Sequence, residues 1–276
     1  MAGPLVSVEW LQRHLAHDVL HLADVRWYLG EPDRGAAAYA AGHLPGAVYV
    51  DLDADLSAAE GPGRHPLPEW TAFARRMEQL GIGDDSVVVA YDDRGGAVAA
   101  RLWWMLRTIG HRRTYVLDGG ITAWEAAGHP LTTALVDHPP GTLTVRSPEG
   151  ATIDREELQH RLGSVLLLDA RAGERYRGEQ EPIDPVAGHI PGAVNAPYEG
   201  NLDSDGRFLD PDRLAARYRE LGVDAEADTV MYCGSGVTAC HNLLAMEHAG
   251  LGSAVLYPGS WSDWSSAGLE AATGAD

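Results

Sequence analysis

The sequence predicts an α/β protein of two tandem domains, each a parallel sheet with helices on both faces. Three observations predict it. Four segments recur in the same order about half a chain apart. Within each half, short apolar runs alternate with helically spaced stretches. The composition, 45% hydrophobic and 22% charged over 276 residues, is that of a chain with buried cores. The recurring pairs are LADVR (22–26) with LLDAR (167–171), GHLPGAV (42–48) with GHIPGAV (188–194), LGIGDDSVVVAYD (80–92) with LGVDAEADTVMYC (221–233), and VLDGGITAW (116–124) with LYPGSWSDW (256–264). Ordered repeats of this kind mark a tandem duplication. The turn-rich stretch 138–150 reads as the linker, which leaves an N-terminal domain over 1–137 and a C-terminal domain over 151–276.

In the first half, helical spacing covers 6–16, 69–80 and 97–109, and apolar runs at 20–25, 87–91 and 115–117 read as strands. In the second half a helix is expected over 152–162, with Thr152 as its cap and Glu156 near a capping-box position. A strand follows at 165–169 and ends in a carboxylate. A helix over 211–221 opens with Pro211, and a strand at 229–232, a helix at 238–249 and a strand at 254–257 complete the order. Strands alternating with helices imply a parallel sheet. The ligand site of such a sheet lies beyond the carboxyl ends of its strands.

All 21 basic residues are arginine, against 40 acidic ones, for a formal charge of −19. The absence of lysine excludes a lysine Schiff base and a P-loop. A fixed cation that holds a substrate must be an arginine, a protonated histidine or a helix N-terminus. The acidity argues against nucleic acid and anionic membranes as partners. No apolar run approaches the roughly 18 residues of a membrane helix, and the N-terminal stretch does not read as a secretory signal. Two cysteines, Cys233 and Cys240, are too few for a disulfide framework, so a cytoplasmic protein with free thiols is expected. No metal and no cofactor is expected.

Beyond the strand at 229–232 lies Cys233-Gly234-Ser235-Gly236-Val237-Thr238, a glycine-rich loop that runs into a helix. Its N–H groups and the helix N-terminus can converge on the sulfur and favour thiolate over thiol. Strand, nucleophile, glycine turn and helix form the usual setting of an activated nucleophile. The alternative is a small buried residue at a strand end. At the matching place in the first half stands Asp92, which cannot be a thiol nucleophile, so the N-terminal domain is expected to be inactive.

These motifs, with RLWWMLRTIGH at 101–111, resemble the two-domain sulfurtransferases of the rhodanese family over nearly the whole chain. The loop is most similar to that of the mercaptopyruvate-using members; thiosulfate-preferring ones tend to carry basic residues after the cysteine. The resemblance implies that Cys233 carries a persulfide held by the N–H groups of residues 234–238, so Gly234, Gly236, Val237 and Thr238 are expected in the binding set. It assigns Arg175 to the donor carboxylate, a role suited to a bidentate guanidinium. The bland alternative for Arg175 is a salt bridge to Glu174 or Glu179. A second family arginine about nine residues on is replaced here by Asp184, and Arg177 is a candidate substitute. A serine–histidine–aspartate relay is implied at Ser235, His65 and Asp53; His65 packed beside its neighbouring prolines is the alternative. Arg171 is expected in an internal ion pair, and His43 and His189 in structural turns, since both halves carry them. Cys240 and the tryptophans 103, 104, 124, 261 and 264 are expected in packing roles.

The expected activity is transfer of sulfur from 3-mercaptopyruvate through a cysteine persulfide to a thiol such as thioredoxin or glutathione, or to cyanide, with release of pyruvate. The alternatives are thiosulfate as donor and a non-catalytic persulfide relay. A phosphatase is disfavoured, because no arginine follows Cys233 in the loop.

Overall fold

The β-branched and apolar runs become the centres of two parallel sheets. The computed structural model describes residues 3–146, 148–224, 227–252 and 254–274; Ser147 of the expected linker lies outside them. The chain divides into two units. The first comprises Met1–Ala58, Pro68–Pro148 and Ser204–Arg207, and the second Ala59–Leu67, Glu149–Asp203 and Phe208–Asp276. The units are therefore not contiguous halves: the segment 59–67 belongs to the second.

The first unit runs β1 (Leu5–Val6), α1 (Val8–His14), β2 (Leu20–Asp24), α2 (Arg34–Ala41), β3 (Ala47–Tyr49), α3 (Trp70–Gln79), β4 (Val87–Tyr91), α4 (Ala99–Thr108), β5 (Thr114–Leu117) and α5 (Gly120–Ala126). The sheet order is β1-β5-β4-β2-β3, with every pairing parallel. The expected helix over 6–16 is shorter at its start. Val6 pairs with Leu117 in the sheet, and Ser7 caps α1 by accepting from Trp10 N at 3.2 Å.

The second unit runs α6 (Arg155–Arg161), β6 (Leu166–Asp169), α7 (Gly173–Tyr176), β7 (Val194–Asn195), a 3-10 turn (Tyr198–Asn201), α8 (Pro211–Glu220), β8 (Thr229–Tyr232), α9 (Thr238–His248), β9 (Val255–Leu256) and α10 (Ser260–Ser266). Its order is β7-β6-β8-β9, again parallel. Thr152 does not cap α6. It bridges Leu256 at the sheet edge, and Asp154 is the cap, accepting from Glu157 N at 2.8 Å. The elements β1, α2, β3, α5, α7, β7, the 3-10 turn and α10 do not follow from the sequence pattern. No helix among the described residues is long and apolar enough to cross a membrane.

The duplication persists in the buried polar groups at the strand ends. Arg26 pairs with Asp24 at 2.6 Å and donates to Gly42 O at 2.7 Å; Arg171 repeats both contacts with Asp169 and Gly188 O at the same distances. Tyr91 OH accepts from Leu44 N, as Tyr232 OH does from Ile190 N. The ring Nδ1 of His43 lies 2.8 Å from Tyr39 O, and that of His189 lies 2.8 Å from Tyr176 O. Both histidines are fully buried, and each forms an isolated antiparallel bridge just before a turn, His43 with Thr132 and His189 with Ala272, so both serve the fold. Burial opposes the charge of Arg171, but Asp169 outweighs it and holds the guanidinium above the ordinary arginine range. Each pair locks the end of its central strand to the following loop. Asp24→Ala leaves the buried Arg26 without its carboxylate and is expected to destabilise the first unit by about 3–5 kcal/mol, read by chemical denaturation.

Candidate active site

Strand β8 lies between β6 and β9 and ends at Tyr232. The next residue, Cys233, is only 2% exposed. Five residues, 233–237, separate β8 from α9, against seven, 92–98, between β4 and α4. The two turns correspond, because Trp261 N donates to Cys233 O and Ile121 N to Asp92 O, each at 2.9 Å. In the first unit the turn is filled by its own anion. The Asp92 carboxylate accepts from the backbone N–H groups of Arg94, Gly96, Val98 and Ala99 at 2.8–2.9 Å. A turn of this kind is an anion nest. Its counterpart carries the Cys233 thiol at the corresponding position, with Val237 as the N-cap of α9 and Thr238 as its first residue.

Two glycines shape this loop, and Gly236 is the one whose backbone requires glycine. Gly236 has φ +74°, and a Cβ there would lie 2.5 Å from Pro258 O. Gly234 lies under two guanidinium groups. A Cβ on it would be 2.8 Å from Arg64 Nη2 and 3.6 Å from Arg175 Nη1. Cys233 N donates to Ser260 Oγ at 3.1 Å. Ser260 itself has φ +55°, where the first unit uses Gly120 at φ +57°. The hydroxyl that receives the Cys233 N–H is thus held at a strained backbone position.

Ser235 and His65 meet, with Oγ and Nδ1 2.7 Å apart and both residues buried. The segment 59–67 brings this histidine into the second unit. Asp53, the third group of the expected relay, lies in the first unit, where it accepts from Trp27 Nε1 at 2.8 Å. Arg175, from α7, donates to Glu181 at 2.7 Å and to Asp184 at 3.0 Å rather than to Glu174 or Glu179. Arg177 is paired with Glu179 at 2.8 Å and is partly exposed. Burial, reinforced by Glu181, holds the Asp184 carboxyl above its ordinary range, although Arg64 and Arg175 oppose this. Cys240 is buried in α9, its sulfur 3.3 Å from Gly236 O. Trp124, Trp261 and Trp264 are core residues.

Sequence reasoning missed Arg64, Glu181 and Ser260. Arg64 adjoins His65 and was the one signal available. Ser260 carries no pattern of its own, since only the backbone shows that a serine stands in a left-handed turn.

The model of the rhodanese-like domain matches residues 7–127 and 154–267, and the chain belongs to that family. Relatives include the "Probable 3-mercaptopyruvate sulfurtransferase" of Pseudomonas aeruginosa, 47% identical over 95% of both chains. Another is the "Putative thiosulfate sulfurtransferase SseB" of Mycobacterium tuberculosis, 44% identical over 91% of this chain and 89% of the relative. The crystal structure of the 3-mercaptopyruvate enzyme SseA from Escherichia coli superposes with a TM-score of 0.84 at 32% identity, covering 94% of this chain and 99% of that one. The chain is a sulfurtransferase.

Gly236→Ala forces a Cβ toward a backbone oxygen at a positive φ. It is expected to cost about 1–3 kcal/mol of second-unit stability, read from the denaturant midpoint.

Proposed function

We propose that this protein transfers sulfur from 3-mercaptopyruvate by way of a persulfide on Cys233. The observation that carries the reading is the 2.7 Å contact between Ser235 and His65 two residues from the nucleophile. Attack of the Cys233 thiolate on the donor sulfur forms the S–S bond and breaks the C–S bond. The electron pair leaves on carbon as the enolate of pyruvate, which needs a proton at C3. The donor's thiol proton supplies it. A serine hydroxyl polarised by a histidine is a suitable carrier. The nest N–H groups of residues 234–238 stabilise the sulfur anion, and Arg175 takes the donor carboxylate. A thiol such as thioredoxin or glutathione, or cyanide, then removes the outer sulfur.

The second reading, thiosulfate as donor, is favoured by the name of the mycobacterial relative. That step breaks an S–S bond and releases sulfite, with no carbon to protonate. The relay therefore separates the two donors. Mercaptopyruvate should add about 32 Da, one sulfur atom, to the Cys233 peptide, and Cys233→Ser should abolish the adduct. Ser235→Ala should lower kcat/KM for mercaptopyruvate by about a hundredfold while changing that for thiosulfate by less than about threefold. An equal loss with both donors would remove the relay from the mechanism. A wild-type kcat/KM higher for thiosulfate would overturn the choice of donor.

A further inference from the structure

Ser262, in α10, is a buried serine with no part in the chemistry described so far. Its backbone N–H donates to Gly234 O at 3.0 Å, beside the bond from Trp261 N to Cys233 O. Its hydroxyl donates to Gly259 O at 3.1 Å, and the oxygen accepts from Arg64 N at 3.0 Å. A serine hydroxyl has one proton to give and lone pairs to spare, so both bonds can be held together. One residue thus holds the cysteine loop by its backbone and the segment 59–67 by its side chain.

That segment contains no helix or strand, so no ladder of its own fixes it. A cleft of about 450 Å³ lined in part by Gly61, Pro62, Gly63 and Arg64 runs along it. The close approach to α10 comes at Gly63. Its φ is +79°, and a Cβ there would lie 2.5 Å from Gly259 O and 2.9 Å from Ser262 Oγ. Glycine lets the backbone come near enough for the next N–H, that of Arg64, to reach the hydroxyl. In the first unit the matching residue of the repeat, Thr122, is exposed, whereas Ser262 is 5% exposed. The joint is therefore a feature of the second unit and not of the shared scaffold.

His65 follows Arg64 directly, and its Nδ1 lies 2.7 Å from Ser235 Oγ. Consecutive Cα atoms are about 3.8 Å apart, so an anchor at Arg64 N restrains the place from which the His65 ring projects. A displacement of about 1 Å at that point would carry the ring out of hydrogen-bond range of Ser235. We propose that Ser262 is a positioning residue: its hydroxyl anchors the backbone at Arg64 and so sets the His65 ring on Ser235. Ser262 acts through His65 and does not touch the donor. Its effect on rate rests on the mercaptopyruvate reading, in which Ser235 and His65 carry a proton; its effect on the place of His65 does not.

Ser262→Ala removes the hydroxyl and keeps the backbone bond to Gly234 O. It should lower kcat for mercaptopyruvate by about tenfold with KM within about twofold. Ser262→Thr keeps the hydroxyl and should stay within about threefold of the unaltered protein, with thermal unfolding as the check on both variants. A positioning role predicts that the two losses do not multiply: in Ser235→Ala protein, adding Ser262→Ala should cost less than about twofold more. The full tenfold loss on that background overturns the proposal. So does an equal loss in Ser262→Thr, or full activity in Ser262→Ala beside a large loss in Ser235→Ala. Histidine-selective NMR of the full-length protein reads the placement without turnover. The shift of the His65 ring signals caused by Ser235→Ala should shrink by about half or more when Ser262 is already alanine, because ring and hydroxyl no longer meet. An undiminished shift overturns the anchoring of His65. Failure of the mercaptopyruvate reading would show separately, as full mercaptopyruvate activity in Ser235→Ala with the NMR result intact.

Discussion

A strand that ends within a parallel sheet and turns at once into a helix leaves several backbone N–H groups aimed at one point, and that point demands an anion. This constraint organises both units. In the first it is met permanently, by the Asp92 carboxylate and its four backbone donors. In the second the corresponding position is Cys233. The same turn holds a structural plug in one copy and the thiol of the proposed persulfide in the other. The flanking structure is kept in both, down to the 2.9 Å bond that fixes the carbonyl of Asp92 or Cys233.

The chain is strongly acidic, so attraction for any anion at this turn is local. Arg64, Arg175 and Arg171 stand near the second site, and Asp184, Glu181 and Asp169 balance them. Arg171 and Asp169 form the strand-end pair that the first unit repeats at Arg26 and Asp24, so that pair serves the fold. The other two arginines have no counterpart contact of this kind in the first unit among the described residues. Duplication supplied the scaffold, and the charged cluster over Gly234 distinguishes the second copy.

Much was legible in the linear chain. The repeats revealed a duplicated α/β fold because two copies of one hydrophobic pattern must bury two copies of one sheet. The turn at Cys233 was legible because it is local: strand, cysteine, glycines and helix are consecutive. The internal control at Asp92 and the structural reading of His43 and His189 also followed from comparing the halves. The starts of α1 and α6 were misplaced because Val6 and Thr152 join sheet edges, and pairing partners more than a hundred residues away are invisible to a local pattern.

By itself, then, the sequence determined the fold class, the duplication, the turn at the cysteine and the exclusive reliance on arginine. Only tertiary structure decided which groups surround the sulfur. The segment 59–67 leaves its own half and carries Arg64 and His65 into the second unit. Asp184, which read as the loss of a cation, turned out to join two of them. Ser260 took a left-handed turn to receive the Cys233 N–H. These placements depend on chain crossings and close approaches between distant segments, and the energy that selects them is packing and charge compensation in three dimensions.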